Sequence, residues 1–398
     1  MTQPVDPGAI ATSARALAPD IARGGMLLLI ALANVHLWTY DHQTGVRGYP
    51  AQLDSADSAV TIVQLLLVDG RAYPLFGFLF GYGIVQLASR RGTVGMPVGA
   101  VTRLVRRRGG WMLLIGFLHG LLLWAGDIVG AYGLLAVLMA GLLVAGSNRA
   151  LLITAGIGLF CSALLYAAAS IPMPDESSAL LPSMGTASYA LSLLLRAIEW
   201  AGIGLFSAMF SVFGAVALGA WAARRRLLDE PERHRRFLQR VAVGGLGTAV
   251  LLGLPLALLT VAGSPAPLGL VLAAGAVHAI GGYLGGLGYA ALFGLIAIRL
   301  ARRTPGVFTD ALRSCGQRSL SCYLAQSVAF ALLLPAWSLG LGGGAHLWQT
   351  ALVGIGTWAV ILVVAHLTAR AGLRGPAEVV LRRLTYGKRV LTPADGAR

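Results

Sequence analysis

Two side chains suited to acid–base chemistry lie close together in a stretch that is otherwise apolar. His119 stands within LLIGFLHGLLLW, and Asp127 follows within AGDIVG. An imidazole titrates near neutral pH, so His119 is a candidate general base or acyl carrier, and Asp127 is a candidate for orienting it. Ionisable groups at membrane depth are costly and therefore point to function. The structural alternatives are a hydrogen bond from His119 to a neighbouring helix and an N-cap role for Asp127.

The expected depths of these two side chains differ. Counted along the helix, His119 lies roughly 9 Å below the outer end of its span, and Asp127 lies roughly 10 Å further out than His119. We therefore expect that they do not touch. Asn34 lies at a depth comparable to that of His119, which favours a cavity shared between the first three spans.

The first apolar helix, in APDIARGGMLLLIALANVHLW, supplies further candidates. Arg23 could receive an anionic donor such as a phosphate or a thioester carrier, or it could snorkel beside an N-capping Asp20. Asn34 follows Arg23 by eleven residues, so both can face one groove; an interhelical hydrogen bond is the alternative for Asn34. His36 points elsewhere and is a candidate for substrate binding or for a place at the membrane interface.

Two opposite charges flank a glycine inside the second apolar stretch, in DGRAYP. Asp69 and Arg71 either pair and so keep a helix break buried, or present their charges to a substrate. Other polar side chains at membrane depth carry weaker signals, and the last two are kept as substrate-binding candidates: His278, Tyr289, Tyr323 and Gln326.

Composition places these residues in a membrane. Of the 398 residues, 57% are hydrophobic and 12% are charged, against about 25% charged in soluble domains. We predict an all-α, polytopic membrane bundle of about ten transmembrane helices, since each crossing needs about 20 apolar residues. The spans lie near residues 20–39, 58–88, 110–126, 128–146, 150–171, 189–223, 241–262, 268–298, 319–340 and 347–369.

The distribution of arginine predicts the orientation. Arginine-rich connections alternate with acidic or neutral ones, such as the one that holds Asp175 and Glu176, and the basic connections face the cytoplasm. Both termini are therefore predicted to be cytoplasmic, in a cell inner (plasma) membrane. The net charge of +15 follows from the same rule, so no nucleic-acid partner is expected. The expected units are a cytoplasmic segment over 1–19, a single transmembrane domain over 20–372 with a basic linker near 224–240, and a cytoplasmic tail over 373–398.

Two predicted spans are too long for one straight crossing. Residues 58–88 would form a helix of roughly 46 Å, against about 30 Å of hydrocarbon. We predict a partial helix before Asp69 and a spanning helix from about Tyr73, since glycine and proline interrupt helices. Residues 268–298, where His278 closely precedes GGYLGGLGY, predict a similar interruption.

Motifs of several common sites are missing from the sequence. It contains no P-loop, no H-E-x-x-H, no Cys/His zinc spacing and no G-x-S-x-G. We therefore expect no metal and no bound cofactor. Cys161, Cys315 and Cys322 form no C-x-x-C pair and are interpreted as small packing residues.

Several stretches together resemble the YeiB-like family of bacterial membrane proteins, domain of unknown function 418. The opening L-D-x-L-R-G…L-V-N pattern of that family corresponds to PDIARGGMLLLIALAN, with Ala22 in place of leucine. The other blocks read DGRAYPLFGFLFGYGIVQLASRR, LLIGFLHGLLLWAGDIVGAYGLL, CGQRSLSCYLAQS and GPAEVVLRRLTYGKR. The resemblance is densest at 20–38, 69–135 and 313–387.

This family is in turn distantly similar to transmembrane acyltransferases, including the acyltransferase-3 group and the glucosaminide N-acetyltransferases. In the acyltransferase-3 pattern a histidine follows an arginine by eleven residues in the first helix, and that position here is Asn34. The resemblance therefore favours His119, in the family's own G-x-x-H block, as the catalytic histidine.

The resulting prediction is a membrane enzyme that moves an acyl group from a cytoplasmic donor, with acyl-CoA as co-substrate, to an acceptor in a membrane cavity. His119 would deprotonate the acceptor or hand on the acyl group, Asn34 and Asp127 would orient it, and Asp69 and Arg71 would line the cavity. One alternative is a transporter or exporter of a small metabolite or lipid, because broken helices also form transporter sites; another is a non-catalytic membrane partner. The expected partners are the lipid bilayer and a small-molecule or lipid substrate, and the oligomeric state is left open.

Overall fold

The computed structural model describes residues 17–173, 179–263, 266–302 and 306–387. These residues form helices and their connections, and no strand occurs among them beyond isolated backbone bridges. The all-α prediction is confirmed. The predicted acidic connection with Asp175 and Glu176, most of the predicted segment 1–19 and the end of the tail after residue 387 lie outside the described residues.

The helices follow the apolar stretches of the sequence. The first half contains α1 (Leu17–Val35), α2 (Ser55–Leu67), α3 (Ala72–Thr93), α4 (Val98–Leu122), α5 (Val129–Ala145) and α6 (Asn148–Ala168). The second half contains α7 (Pro182–Gly185), α8 (Tyr189–Glu199), α9 (Ala208–Arg224), α10 (Arg235–Val261), α11 (Leu268–Leu300), α12 (Val307–Gln317), α13 (Ser319–Leu333), α14 (Leu347–Arg370) and α15 (Pro376–Tyr386). A π-helical segment, Trp200–Ser207, joins α8 to α9.

Seven helical stretches in the described part of the chain are long and apolar enough to cross a membrane. They are Leu17–Trp38, Ser55–Thr93, Asn148–Ala168, Tyr189–Arg224, Arg235–Val261, Leu268–Leu300 and Leu347–Arg370. The helices α5 and α13 are shorter and also apolar. The chain is therefore a multi-pass helical membrane protein; the predicted number of spans and the predicted location of the termini stay predictions.

The break in the second apolar stretch is confirmed. Helix α2 ends at Leu67 and α3 begins at Ala72, close to the expected positions. Gly70 lies between them at φ +73°, a conformation that glycine adopts without steric cost. Pro74 falls in the first turn of α3, where a missing N–H removes no helical hydrogen bond.

The interruption predicted within residues 268–298 is wrong, because α11 runs unbroken over 33 residues. Its glycines serve close packing instead. A Cβ atom on Gly282 would lie 2.1 Å from the carbonyl oxygen of Gly70, and one on Gly288 would lie 2.9 Å from the backbone nitrogen of Leu246 in α10. Small residues let membrane helices approach in this way, and the packing offsets the flexibility that glycine brings to a helix.

Some helix limits also differ from the expected ones. The span expected near 110–126 belongs to a longer helix, because α4 already begins at Val98 and its first turns carry the arginines of the preceding connection. The basic linker expected near 224–240 is partly helical, since α10 begins at Arg235. The span expected near 319–340 ends at Leu333, where the chain turns.

The connections gather at two ends of the bundle. At one end, residues 36–54, 123–128, 169–173, 179–185 and 334–346 contact one another, as where Ala336 N–H donates to the Met184 carbonyl. At the other end, Arg224 Nη1 donates to the carbonyl of Gly146 at 2.6 Å. We call the first the arginine-poor end and the second the arginine-rich end. Under the positive-inside rule the arginine-rich end is the one expected in the cytoplasm.

Candidate functional site

The helix break places Asp69 against an arginine of the preceding connection. Arg47 donates from Nε to Asp69 Oδ2 at 3.0 Å and from Nη2 to Oδ1 at 3.1 Å, the two-bond pairing of guanidinium and carboxylate. Burial alone would lower the pKa of Arg47, but the Asp69 carboxylate raises it above its usual value. Arg47 has φ 60° and ψ 22°, a left-handed conformation that costs a non-glycine residue roughly 1–3 kcal/mol. These contacts must offset that strain.

His278 of α11 and Arg71 complete the surroundings of Asp69. His278 Nε2 lies 3.2 Å from Asp69 Oδ2, and Arg71 Nη1 lies 3.2 Å from His278 Nδ1. Arg71 Nη1 also lies 3.0 Å from His278 Nε2, so the arginine faces the edge of the imidazole that holds both ring nitrogens. Arg71 Nη1 also donates to the backbone carbonyl of Asp69 at 2.6 Å. The carboxylate itself pairs with Arg47 rather than with Arg71, which the sequence left open.

Glycines leave the space that Arg71 fills. The side chain is fully buried, and its Nη2 donates to the carbonyl of Ala249 in α10 at 2.5 Å. A Cβ atom on Gly253 would lie 2.5 Å from that Nη2, and one on Gly285 would lie 2.7 Å from Arg71 Cγ. The close packing of α10 and α11 on the break therefore depends on glycine at these positions.

Asn34 and His36 lie beside the ion pair, at the end of α1. Tyr73 donates its hydroxyl to Asn34 Oδ1 at 2.7 Å. The ring of His36 stacks on Tyr49, with ring centres 4.6 Å apart and an angle of 8° between the planes. Burial raises the pKa of Tyr49, whose hydroxyl donates to Gln64 Oε1 at 3.1 Å. His36 therefore packs inside the protein, not at a lipid-facing interface.

A cavity of about 390 Å³ opens among these residues at the arginine-poor end. Ligand pockets commonly have volumes of about 300–1,000 Å³. Its polar wall is formed by Asn34, His36, Arg47, Asp69 and Tyr73. The rest of the wall is mainly apolar and comes from α5, α6, α9, the π-helical segment and the connections beside them.

The cavity contains three of the predicted site residues. Asn34, His36 and Asp69 line it, whereas the remaining candidates do not contribute to its wall: Arg23, Arg71, His119, Asp127, Tyr323 and Gln326. The first two predicted spans take part as expected. The third, residues 110–126, contributes only its last residues: Trp124 and Gly126 line the cavity from the turn after α4, with Ile128 next to them.

His119 and Asp127 touch, which corrects the expectation from depth. His119 Nδ1 lies 2.8 Å from Asp127 Oδ1. Helix α4 ends at Leu122, and the next turn folds back onto it, since Trp124 N–H donates to the His119 carbonyl at 3.0 Å. The count along the helix assumed that the chain continued outward, whereas this turn returns Asp127 to the level of His119.

Asp127 also accepts the N–H groups of Val129 at 3.1 Å and Gly130 at 2.6 Å, at the start of α5. It therefore both caps this helix and orients His119. Since the carboxylate accepts, Nδ1 of His119 carries the proton of this hydrogen bond. Nε2 is buried and has no hydrogen-bond partner among the described residues. The ring of Tyr323 lies beside it, with ring centres 5.2 Å apart. We call His119 and Asp127 the dyad.

The other candidates have structural partners elsewhere. Tyr323 accepts the N–H of Ile128 at 3.4 Å and so supports the turn of the dyad. Gln326 donates to the carbonyl of Leu27 at 2.9 Å, a bond between α13 and α1. Arg23 pairs with Asp20 at 3.3 Å, at the arginine-rich end.

Arg47 is the site residue that sequence reasoning missed. It lies in a connection that is otherwise acidic or neutral, between Asp41 and Asp54. An arginine that departs from the positive-inside pattern has a reason other than topology to be there. That departure was the available signal, and only the fold shows that the partner of Arg47 is Asp69.

A third histidine–carboxylate group lies near the surface at the arginine-poor end. His346 Nδ1 is 3.0 Å from Asp57 Oδ2 and 3.3 Å from Asp54 Oδ2, and the ligand atoms of all three lie within 4.8 Å of one another. Asp57 also accepts the N–H of Trp348, and Asp54 accepts that of Asp57. The hydrogen bond from His346 to Asp57 raises the pKa of His346, and the negative charges of Asp57 and Asp54 raise it further. Hydrogen bonds within the group account for the cluster, and the prediction of no metal stays a prediction.

The fold and the cavity define a multi-pass helical membrane protein with a charged internal pocket. The family described as "Protein of unknown function (DUF418)" matches residues 222–388, which confirms the resemblance to domain of unknown function 418. The matched part contains α10 to α15, with His278, and begins after the dyad.

A longer similarity covers the dyad as well. The chain is 26% identical over 401 residues to "Uncharacterized protein YxaH" of Bacillus subtilis (strain 168), across 92% of this chain and 93% of that protein. Neither this family nor this relative is described by an activity. The predicted similarity to acyltransferases therefore stays a prediction.

Proposed function

We propose that the protein is a transmembrane acyltransferase of the inner membrane in which His119 acts as the general base. The supporting observation is the geometry of the dyad: Nδ1 of His119 bonds Asp127, and Nε2 has no partner among the described residues. An imidazole fixed by a carboxylate through one nitrogen, with the other available, is what a general base requires.

In the proposed reaction, His119 Nε2 takes the proton of an acceptor hydroxyl or amine as the acceptor atom attacks the carbonyl carbon of an acyl thioester. The tetrahedral intermediate then breaks its C–S bond, and the thiolate takes the proton back from the imidazolium. Asp127 stabilises the imidazolium between these two steps. Overall, the acceptor loses one proton and gains the acyl group, and the thiol leaves with that proton. The reaction therefore balances with the two substrates alone.

The two ends of the bundle give the substrates separate routes. Acyl-CoA, the proposed co-substrate, is anionic and would enter from the arginine-rich end, where Arg23 lies on α1. The acceptor would occupy the cavity at the arginine-poor end. There, Asn34 would orient the acceptor, and the Tyr73 hydroxyl holds the Asn34 amide in place.

The turn over residues 123–128 stands between the dyad and the cavity. Trp124, Gly126 and Ile128 line the cavity, whereas Asp127 bonds His119. The proposed reaction therefore requires this turn to move, so that the acceptor reaches Nε2. Trp124 stacks on Trp38 with ring centres 4.5 Å apart, and this contact holds the turn in place.

Acyl transfer by the protein in nanodiscs tests the proposal. Radiolabelled acetyl-CoA is supplied with extracted lipids and sugars as acceptors, and labelled product is counted for the wild type, His119→Ala and the control His366→Ala. His366 lies on α14, remote in sequence from the dyad. Loss of a general base should lower the rate by about 100-fold or more, with no loss in the control. Equal rates for the wild type and His119→Ala would remove His119 from the mechanism.

Transport is a second candidate function, and the helix break favours it. Charged side chains at a break within a membrane helix also form substrate sites in transporters, and here Asp69 and Arg71 lie at such a break. The distinguishing measurement is substrate flux into proteoliposomes. Flux without any acylated product, lost in Asp69→Asn and kept in His119→Ala, would support transport over acyl transfer.

A further inference from the structure

The cavity combines a polar wall that carries charges with apolar walls. The polar wall contains the pair of Arg47 and Asp69, with Asn34 and Tyr73 beside it. The walls include Leu37, Ile128, Leu165, Ile171, Met173 and Leu180. A ligand that satisfies both surfaces needs a polar head and an apolar body, because apolar walls gain by excluding water and buried charges need partners.

Arg47 is the charge that a ligand reaches first. Of its side chain, 17% is accessible, against 7% for Asp69 and 0% for His278. Arg47 belongs to a connecting segment rather than to a long helix. Its backbone N–H donates to the carbonyl of Ser170 in the neighbouring connection. Its guanidinium can therefore turn toward the cavity without disturbing α2 or α3.

Asp69 keeps other partners when Arg47 turns away. His278 Nε2 stays 3.2 Å from its carboxylate, and the Arg71 guanidinium stays bonded to its backbone carbonyl. The carboxylate is thus not left uncompensated, which would otherwise cost several kcal/mol. This second set of donors makes an exchange of partners at Arg47 feasible.

We propose that the cavity binds an amphiphile with an anionic head group, a carboxylate or a phosphate. The head group pairs with Arg47 in place of Asp69, and the apolar chain of the amphiphile packs on the apolar walls. The guanidinium fork fits both head groups through two parallel bonds. The inference rests on the proposed function only in that this amphiphile would be the acceptor. A cationic head is disfavoured, because Asp69 is less accessible and already has several donors.

Binding to the protein in nanodiscs tests the inference without any catalysis. The probes are octanoate, octyl phosphate and octylammonium, which share one chain length and differ in the head. Affinities are measured by titration calorimetry against empty nanodiscs, for the wild type, Arg47→Gln and the control Arg149→Gln. Arg149 is exposed at the arginine-rich end, so its loss removes the same charge far from the cavity.

We expect both anions to bind at least about tenfold more tightly than octylammonium, and Arg47→Gln to lose about that factor, since a hydrogen bond to a charged group contributes this much. Arg149→Gln should match the wild type. A preference for one anion over the other identifies the head group as carboxylate or phosphate. Equal binding of octylammonium, or full octanoate affinity in Arg47→Gln, would overturn the proposal.

Asp69→Asn gives a result in the opposite direction. Removing the competing carboxylate frees Arg47, so octanoate should bind more tightly and raise the Tm of this variant more than that of the wild type. If the variant is not obtained folded without ligand, purification with octanoate present should recover it. Weaker binding to folded Asp69→Asn, or failure of octanoate to recover the variant, would contradict the exchange of partners.

The two proposals fail separately. An absence of acyl transfer with anion-selective binding intact would remove the proposed function and keep the anion site. A rate that depends on His119 together with no head-group selectivity would do the reverse.

Discussion

Two buried carboxylates, each bonded to a histidine, differ in where their partners come from. The bonds to Asp127 come from nearby in sequence: His119 lies eight residues before it, and the N–H groups of Val129 and Gly130 follow within three. Asp69 instead bonds Arg47, 22 residues before it, and His278, 209 residues after it.

This difference extends to charge and access. The dyad sets one carboxylate against an imidazole and backbone amides, and neither of its side chains lines the cavity. The group around Asp69 contains two arginines and lines the cavity. The group assembled from distant segments is therefore the one exposed in the cavity, whereas the proposed action of the local group requires its turn to move.

Replacing each carboxylate by its amide should separate the two groups most strongly. Asp69→Asn leaves the buried Arg71 and the partly buried Arg47 without a counter-charge and should cost about 3–5 kcal/mol. Asp127→Asn keeps only one of the two oxygens that accept the N–H groups of Val129 and Gly130, but it removes the counter-charge of no arginine, so it should cost less, about 1–3 kcal/mol. The measurement is the free energy of unfolding of both variants in detergent, with denaturant.

The exposed pair of Arg302 and Glu232 provides the control, since Glu232→Gln should change stability by less than about 1 kcal/mol. Equal losses for Asp69→Asn and Asp127→Asn would mean that the arginines beside Asp69 are not buried as described.

A single methyl group at the helix break should have a smaller effect. The Cβ atom of Gly282→Ala would lie 2.1 Å from the Gly70 carbonyl oxygen, so α11 must move off the break at a cost of about 1–3 kcal/mol. The matched control is Gly247→Ala on α10, whose Cβ atom meets open space; alanine favours a helix, so this variant should be as stable as the wild type or more so. Thermal unfolding of both variants decides, and a Gly282→Ala protein as stable as Gly247→Ala would refute the close contact.

The surface pair of His346 and Asp57 should show the smallest effect, as a pH dependence. The bond to Asp57 raises the folded-state pKa of His346 above 6.5. The protonated imidazole therefore stabilises the folded protein fully below pH 6.5, and this contribution is lost as the pH rises through the raised pKa. The Tm of the wild type should exceed that of His346→Gln at low pH, and the gap should close as the pH increases. A gap that widens toward high pH would contradict this sign.

Parts of the site were predictable because they depend on local pattern. The break near Asp69 follows from a glycine and a proline inside a stretch too long for one crossing. Asn34 and His36 are rare polar groups in an apolar helix, which makes them candidates from the sequence alone, and both line the cavity. The same reasoning failed at α11, because a run of glycines is a flexible element in isolation and a packing surface once another backbone lies against it.

The sequence by itself determined the apolar spans, the helix break and which polar side chains had to be buried, since hydrophobicity and backbone conformation act within a few neighbouring residues. Only the tertiary structure decided the pairing of these groups. Arg47 meets Asp69 because a connection folds over the break, and His119 meets Asp127 because the turn after α4 folds inward. Both pairings depend on the packing of segments against one another, and that packing sums many weak contacts that no short stretch contains.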